Sequence, residues 1–567
     1  MRVRLALALS LSAVLATTAA QVAPLASAAD TGTATDYLVL LDGTGGVDAS
    51  TRAAIADSGG RITEVNSKLG YAYVRTRSAR FASTMNASGA VLGVARERTI
   101  GSVRQSHRAK ARDIERLVGK GATSGTKGLA DAPAATAAAT GVTPEPLANR
   151  QWDMRQIGAT AAGSYAESTG SRKVRVGIID TGIDGTHPDI APNFNRRLSR
   201  NFVTDMPDID DECEHPSCVD PVDEDDDGHG THVASTIGSP INGLGIAGVA
   251  PDVTLINIRA GQDSGYFFLE PTLKALTYAG DIGVDVVNMS YYVDPWLYNC
   301  VDNPADSPAE QAEQRVIRMA TQRALNYAMH RGVLPVSAMG NGATDLGKPV
   351  EDSTSPDYPE GTEKDRAIDN SCMTVPTESR GVVAVSSIGP SMRKAYYSDY
   401  GVEQTDVSAP GGDVYDTPDT TRDVRNGILA AYPKALAEAS GLLDPDGTPN
   451  DPSVVRDCQG SVCGYYQYLQ GTSMASPHAA GVAALVVSEH GRRDRAHRGL
   501  TLRTDRSRRL LYRTAQPHAC PQPRLYHYSR ILPDGTVSEA DALCEGPVAK
   551  NGFYGRGVVN AYVAATR

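Results

Sequence analysis

Fifteen residues near the C-terminus, Gly471-Thr-Ser-Met-Ala-Ser-Pro-His-Ala-Ala-Gly-Val-Ala-Ala-Leu485, constrain this chain most. They set one hydroxyl, Ser473, behind a Gly-Thr turn and at the head of a helix built from small side chains. A serine there is held rigidly, beside the positive end of a helix dipole. Such a seat suits a nucleophile and is wasted on an ordinary surface serine.

Two further blocks lie upstream. The apolar run 174–179 reads as a buried parallel strand. It ends in Asp180-Thr-Gly, so Asp180 stands at the carboxyl end of a strand, where open α/β sheets place their sites. Gly228-His-Gly-Thr-His-Val-Ala234 follows, with His229 opening a second helix. Singly, Asp180 reads as a turn former, His229 as a helix-start histidine and Asn341 as a loop residue. In the order Asp, His, Ser they read as one machine. A serine hydroxyl is a weak nucleophile until a base takes its proton, and imidazole titrates near neutrality. His232, three residues after His229, lacks the glutamate of an H-E-x-x-H zinc pattern and reads as structural.

With Asn288-Met-Ser290 and Gly340-Asn-Gly342 added, the chain resembles the subtilases, the subtilisin-like serine peptidases. The resemblance implies a triad of Asp180, His229 and Ser473, with Asn341 as the oxyanion donor. It implies substrate contacts at Ser290, Tyr291, Tyr292, Gly265, Ala338 and Gly340. It also implies a structural calcium held by Asp189, Asn242 and the carbonyls of Pro240, Leu244 and Ile246, with Glu145 as a further ligand. No cofactor is expected for catalysis. The implied fold is α/β: a subtilisin-like parallel sheet with helices on both faces, preceded by a small ferredoxin-like α+β propeptide.

The local pattern agrees with that fold. Strand-like runs at 174–179, 255–258, 284–289, 333–338 and 382–388 alternate with helical stretches, the longest over 308–330. The stripe Val316, Ala320, Ala324 and Ala328 on that helix reads as core and not as a partner surface. Before it, a β-α-β-β-α-β order from Thr35 to Ser102 is ferredoxin-like, and it resembles the inhibitory propeptide of subtilases. The division is therefore a signal peptide over 1–29, a propeptide over 30–104, a linker over 105–144 and a catalytic domain over 145–567. The linker, basic and then rich in Ala, Thr, Gly and Pro, reads as exposed and as the place of maturation cleavage.

The signal peptide follows from Arg2 and Arg4, an apolar stretch to Leu15 and the small-residue motif Ala26-Ser-Ala28. The mature protein is expected to be secreted, extracellular, monomeric and free of the membrane. A net charge of -11 argues against nucleic acid as partner. The expected partners are peptide or protein substrates, and the propeptide as inhibitor. Eight cysteines suit an oxidising compartment. Of 105 connectivities, proximity and shared inserts favour Cys213–Cys218, Cys300–Cys372, Cys458–Cys463 and Cys520–Cys544.

Three departures bear on specificity. Tyr291 and Tyr292 stand where subtilases carry small glycines, so the first must swing away or narrow the cleft. Met339 replaces a smaller residue before Gly340. Inserts at 292–315, 343–372 and 412–466 are expected to wall the cleft. A restricted, leader-peptidase-like protease is thus one reading of the activity. An acid peptidase using serine with glutamate and aspartate is another, and a catalytically silent binding scaffold a third. The acidic run from Asp205 to Asp227 reads as a solvated insert, because its resemblance to an EF-hand loop fails at the twelfth position, Ala234.

Overall fold

The computed structural model describes residues 34–97, 114–117, 142–359 and 361–567. The signal peptide and most of the linker lie outside the described residues.

The N-terminal unit is β1 (Thr35–Leu40), α1 (Ala49–Asp57), β2 (Gly60–Asn66), β3 (Tyr71–Thr76), α2 (Phe81–Ser88) and β4 (Gly93–Arg96). Its antiparallel sheet runs β2-β3-β1-β4. Alternation along β1 decides what each face does. Val39 and Leu41 pack with Ile55, Phe81 and Met85 of the unit's own helices. Leu38 and Leu40, with Tyr71, Tyr73 and Ala95, join a different core that belongs to the large domain.

That domain is built on seven strands: β5 (Arg175–Ile179), β6 (Arg200–Asn201), β7 (Thr254–Arg259), β8 (Val286–Met289), β9 (Leu334–Ala338), β10 (Val383–Ile388) and β11 (Val407–Pro410). They lie in the order β11-β10-β9-β8-β5-β7-β6, and every pair is parallel. Both faces are covered, which is why these strands are apolar at successive positions. Val176, Ile178 and Val286 face α3 (His229–Gly238) and α6 (Thr472–His490). Ile179, Val287 and Met289 face α4 (Leu269–Asp281) and α5 (Pro308–His330). The expected subtilisin-like fold is present.

A capping box starts α5. Ser307 Oγ accepts from Glu310 N, Glu310 Oε2 accepts from Ser307 N, and Pro308 takes the first helical position. The predicted stripe is buried, but it is not core alone. It shares one apolar cluster with the N-terminal sheet, and a Cβ on Gly93 of β4 would lie 2.7 Å from Val316 Cγ2. Arg323 on the same helix donates to Leu41 O at 2.9 Å. The helix therefore does serve as a docking surface, a role that periodicity does not report.

All four expected disulfides form. Cys300–Cys372 joins the first two inserts. The third insert folds into an antiparallel sheet of β12 (Ile428–Ala431), β13 (Val454–Gln459) and β14 (Val462–Leu469), with β14 in the middle. It stands beside α3 and leads directly into α6.

Candidate active site

Asp180 is fully buried at the end of β5. Its Oδ1 lies 2.7 Å from His229 Nδ1 and accepts from Thr181 N at 2.8 Å. His229 opens α3 because Gly228 supplies a left-handed turn (φ 89°) and because the buried Asp225 receives the helix start. Asp225 Oδ1 accepts from Gly228 N and Oδ2 from Thr231 N. A carboxylate at that end is favoured by the helix dipole.

Ser473 sits in the first turn of α6, behind Gly471 (φ 155°). Pro477 lies inside this helix, and its missing N–H leaves the carbonyl of Ser473 without a helical donor. Ser290 Oγ supplies that donor at 3.2 Å, and Asn288 Nδ2 and Ser476 Oγ hold Ser290 at 2.8 and 2.9 Å. The Asn-Met-Ser strand thus fixes the backbone of Ser473.

Asn341 is locked by its oxygen, which accepts from Thr472 N at 2.9 Å and Thr472 Oγ1 at 3.0 Å. Its amide Nδ2 takes no part in that lock and donates to Glu115 instead. Asp399, which the sequence gave no reason to select, shapes this loop. It accepts from Thr344 N at 2.7 Å, and a Cβ on Gly340 would lie 2.3 Å from its carboxylate.

The decisive feature is a side chain absent from every sequence-level expectation. Glu115 Oε1 accepts from Ser473 Oγ at 2.7 Å and from Asn341 Nδ2 at 2.9 Å. Its Oε2 lies 3.6 Å from His229 Nε2. One carboxylate thus bridges Ser473, Asn341 and His229. The residues around it are anchored too. Gln470 donates to Glu115 O and Ile114 O, Arg116 pairs with Leu469, and Leu117 is only 2 % exposed. The reading of 105–144 as an exposed linker fails at Glu115, which bonds Ser473 and Asn341, and at Leu117, which is buried, whereas Arg116 between them remains exposed. Its cause is local: Glu115 and Leu117 follow a basic run that reads as solvated when its partners in 469–473 are out of sight.

Electrostatics follow from this arrangement. Burial alone would press His229 down, but the carboxylates of Asp180, Glu115 and Asp227 outweigh it and hold the imidazole at about 10. His232 is the opposite case. Burial lowers it to about 3, and its Nε2 meets Ile428 O and Gln467 O, so it serves as a neutral strut.

Tyr291 turns inward, stacked on Phe267 with centroids 4.1 Å apart, and is nearly buried. It does not stand across the cleft. Tyr292 bonds Asp357 of the second insert, Gly265 makes a tight turn onto Gln262 O, and Ala338 O accepts from Thr377. Met339 is buried and receives Thr405 Oγ1 on its sulfur, so it too is withdrawn from the cleft.

The calcium expected at Asp189 meets a different arrangement. Asp189 Oδ2 accepts from Ile246 N and Tyr466 OH at 3.1 Å each, and Oδ1 from Asn242 Nδ2 at 3.1 Å. The Asn242 oxygen accepts from Leu244 N, and Glu145 from Gly243 N. A Cβ on Gly245 would lie 1.8 Å from the Tyr466 hydroxyl, so this phenol is driven into the 240–246 loop. Asn242 and Ile246 meet Asp189 as expected, but three protein donors already bond its carboxylate, while Glu145 Oε2 in the same set is buried without a donor.

The acidic insert differs from its reading as well. Asp205, Asp220 and the guanidinium of Arg259 are buried together, with Asp226 and Asp263 around them. Oxygens of Asp220, Asp226 and Asp263 lie within 4.8 Å of one another. Both Asp205 oxygens and Asp220 Oδ1 have no hydrogen-bond donor. Burial raises Asp205 and Asp226 to about 6 and Asp263 to about 8. One arginine does not balance so many carboxylates.

The sequence profile of the subtilase family matches residues 171–545. The chain belongs to the subtilase family. It is a serine peptidase, a peptide hydrolase. It is 26% identical to thermitase of Thermoactinomyces vulgaris over 60% of this chain and 84% of that protein. It is 29% identical to subtilisin Savinase of Lederbergia lenta, over 59% and 83%. In fold it is similar to the epidermin leader peptide processing serine protease of Staphylococcus aureus, with a TM-score of 0.59, 20% identity and coverage of 94% and 98%. Among the described residues no helix is long and apolar enough to cross a membrane.

Proposed function

We propose that this subtilase is a secreted serine endopeptidase made as an autoinhibited precursor. The observation that carries the reading is the carboxylate of Glu115 seated on Ser473 and Asn341. In the open enzyme, Ser473 Oγ attacks a peptide carbonyl while His229 takes its proton. The oxyanion is met by Asn341 Nδ2 and the backbone N–H of Ser473. The tetrahedral intermediate collapses, the C–N bond breaks, and His229 returns the proton to the leaving amine. Water then attacks the acyl-enzyme by the same route. Asp180 fixes the imidazole tautomer and stabilises the imidazolium.

The inserts support restricted specificity. Cys300–Cys372 and the Tyr292–Asp357 bond make firm walls beside the Ser290 strand. The likeness to a leader-peptide processing protease is one of fold, and it gives this reading a direction without a substrate. Cleavage of quenched peptides at pH 7–8, abolished by a fluorophosphonate, tests the peptidase reading. An optimum at pH 3–4 would favour an acid peptidase, and absent labelling of the processed form a silent scaffold.

The cation belongs, on this reading, to the Asp220 cluster and not to Asp189. Hard oxygen donors of this kind suit calcium. Asp220, Asp226 and Asp263, whose oxygens lie within 4.8 Å of one another, would hold it beside the Arg259 guanidinium, and it would stabilise the loop leading into α3. Chelation is expected to lower Tm by several degrees, since a ligand at about 100 times its Kd contributes about 2.7 kcal/mol. Asp220→Asn should abolish that shift and Asp189→Asn should not.

A further inference from the structure

The net charge of -11 conceals a segregation of sign. After α6 the chain forms a hairpin of β15 (Arg492–Asp494) and β16 (Gly499–Thr501), and then α7 (Thr504–Thr514). Thr504, Ser507, Leu511 and Thr514, at helical spacing, are buried, and Thr504 Oγ1 donates to Met329 O and Val333 O. That docking turns Arg506, Arg509 and Arg513 outward as one exposed row. Like charges three and four residues apart weaken a helix, so α7 itself has no use for all three. The row lines two hollows, of about 900 and about 550 Å³, which share Arg508 and Arg509 and so form one trough. Two carboxylates line it, and both are engaged. Asp505 pairs with Arg503 and Arg509 at 3.1 and 3.0 Å, and Asp406 bonds Ala384 N and the Tyr512 hydroxyl. Among the described residues no carboxylate pairs with Arg492, Arg506 or Arg513. Gly332, Gly381 and Asp406 of the lining lie just before β9, β10 and β11, at the amino ends of those strands. Asp180 and Asn341 follow the carboxyl ends of β5 and β9, so trough and active site stand at opposite ends of the sheet.

We infer that this trough binds a linear polyanion through its phosphate groups, as in a phosphodiester chain. A guanidinium offers forked donors and no acceptor, which matches a phosphate and leaves nothing for a donor to meet. An acidic peptide brings backbone N–H groups that need acceptors of their own. A phosphodiester backbone brings acceptors alone, so it suits a lining whose polar groups are mostly arginines. From Arg503 to Arg513 the helix runs about 15 Å, longer than one phosphate group, which favours a polymer over a single anion. Tyr512 is the one tyrosine of the lining, and its ring carries the Arg556 guanidinium 4.8 Å from the centroid instead of a platform for stacked bases. The polymer is therefore read by its phosphates, and nucleic acid and base-free polymers share that chemistry. Bound in this way, it holds the enzyme by the face opposite Ser473 and leaves the cleft free.

Binding to the full chain tests this. At about 50 mM salt a labelled oligothymidylate should bind, with log K falling against log salt at a slope of about -2 or steeper, as three or more phosphate contacts on a single strand require. No binding, or a flat salt dependence, would overturn the inference. Arg506→Gln with Arg513→Gln should weaken binding about tenfold and flatten the slope by about 1.4, since each lost contact removes about 0.7. Arg52→Gln with Arg61→Gln takes the same charge from exposed positions on the N-terminal unit and should leave binding unchanged. An equal loss in both pairs would reduce the effect to net charge and overturn the site. Inorganic polyphosphate should displace the oligonucleotide, and polyglutamate should need about ten times more to do so. Failure of polyphosphate to compete would mean that bases are read, and equal competition by polyglutamate would mean that carboxylates serve as well. Either result overturns the phosphate assignment. Fluorophosphonate labelling of Ser473 should be the same with and without polyphosphate. Slower labelling would put the polymer in the catalytic cleft and overturn the inference.

Discussion

Replacing Glu115 by alanine is expected to raise the rate at which a fluorophosphonate labels Ser473 in the unprocessed chain by about a hundredfold. The carboxylate accepts charge-assisted bonds from Ser473 and Asn341 and faces the His229 ring. Bonds to a charged group are worth about 1.5–3 kcal/mol each. Losing one net such contribution of about 3 kcal/mol moves an equilibrium by about two powers of ten. Glu115→Gln keeps the shape and one acceptor, so it should fall between. The same contact sets a pH dependence. His229 is held at about 10, above its ordinary 6.5, by the carboxylates around it. A raised histidine contributes its stabilisation fully below 6.5, and the contribution is lost as pH rises through about 10. The plug therefore grips an imidazolium at neutral pH, and labelling of the precursor should rise between pH 7 and 10. Proton titration of the His229 ring by NMR should show a lower pKa in Glu115→Ala. An unchanged value, with unchanged labelling, would sink the autoinhibition reading.

Ser473→Ala should remove both labelling and peptide cleavage, and His229→Ala should lower kcat by roughly 10⁴–10⁶. That is the scale of triad replacements in subtilisin, a relative. His229 must be singly protonated to act as base, and only Asp180 then remains to orient it. Asp180→Asn should be less severe than loss of the nucleophile, because the oxyanion hole formed by Asn341 and the Ser473 N–H survives. The same variants should leave Tm nearly unchanged. A mutant that loses activity together with several degrees of Tm would point to misfolding instead.

The peptidase identity was legible because its chemistry is written in contiguous blocks. Asp180 at a strand end, His229 after a left-handed Gly228 and Ser473 after Gly471 are local geometries that particular residue types must satisfy. The parallel sheet was legible for a related reason, since strands covered on both faces carry unbroken apolar runs. The N-terminal unit could be read from its element order. The disulfides followed from closeness in the chain or from inserts that share one wall.

What only the tertiary structure decided are pairings over long stretches of sequence. Glu115 and Ser473 are 358 residues apart, and nothing local to either announces the other. Val316 looks like core on its helix, yet it also meets Gly93 of another unit. Asp189 has the neighbours of a calcium ligand, but Tyr466, 277 residues away, supplies a hydroxyl in their place. The acidic run 205–227 reads as solvated until Arg259 is found buried among its carboxylates. Residue type and spacing determine which backbone shapes and which reacting groups this chain can form. Which charge is neutralised, and which cleft is filled, depends on side chains that meet only after the chain has closed on itself.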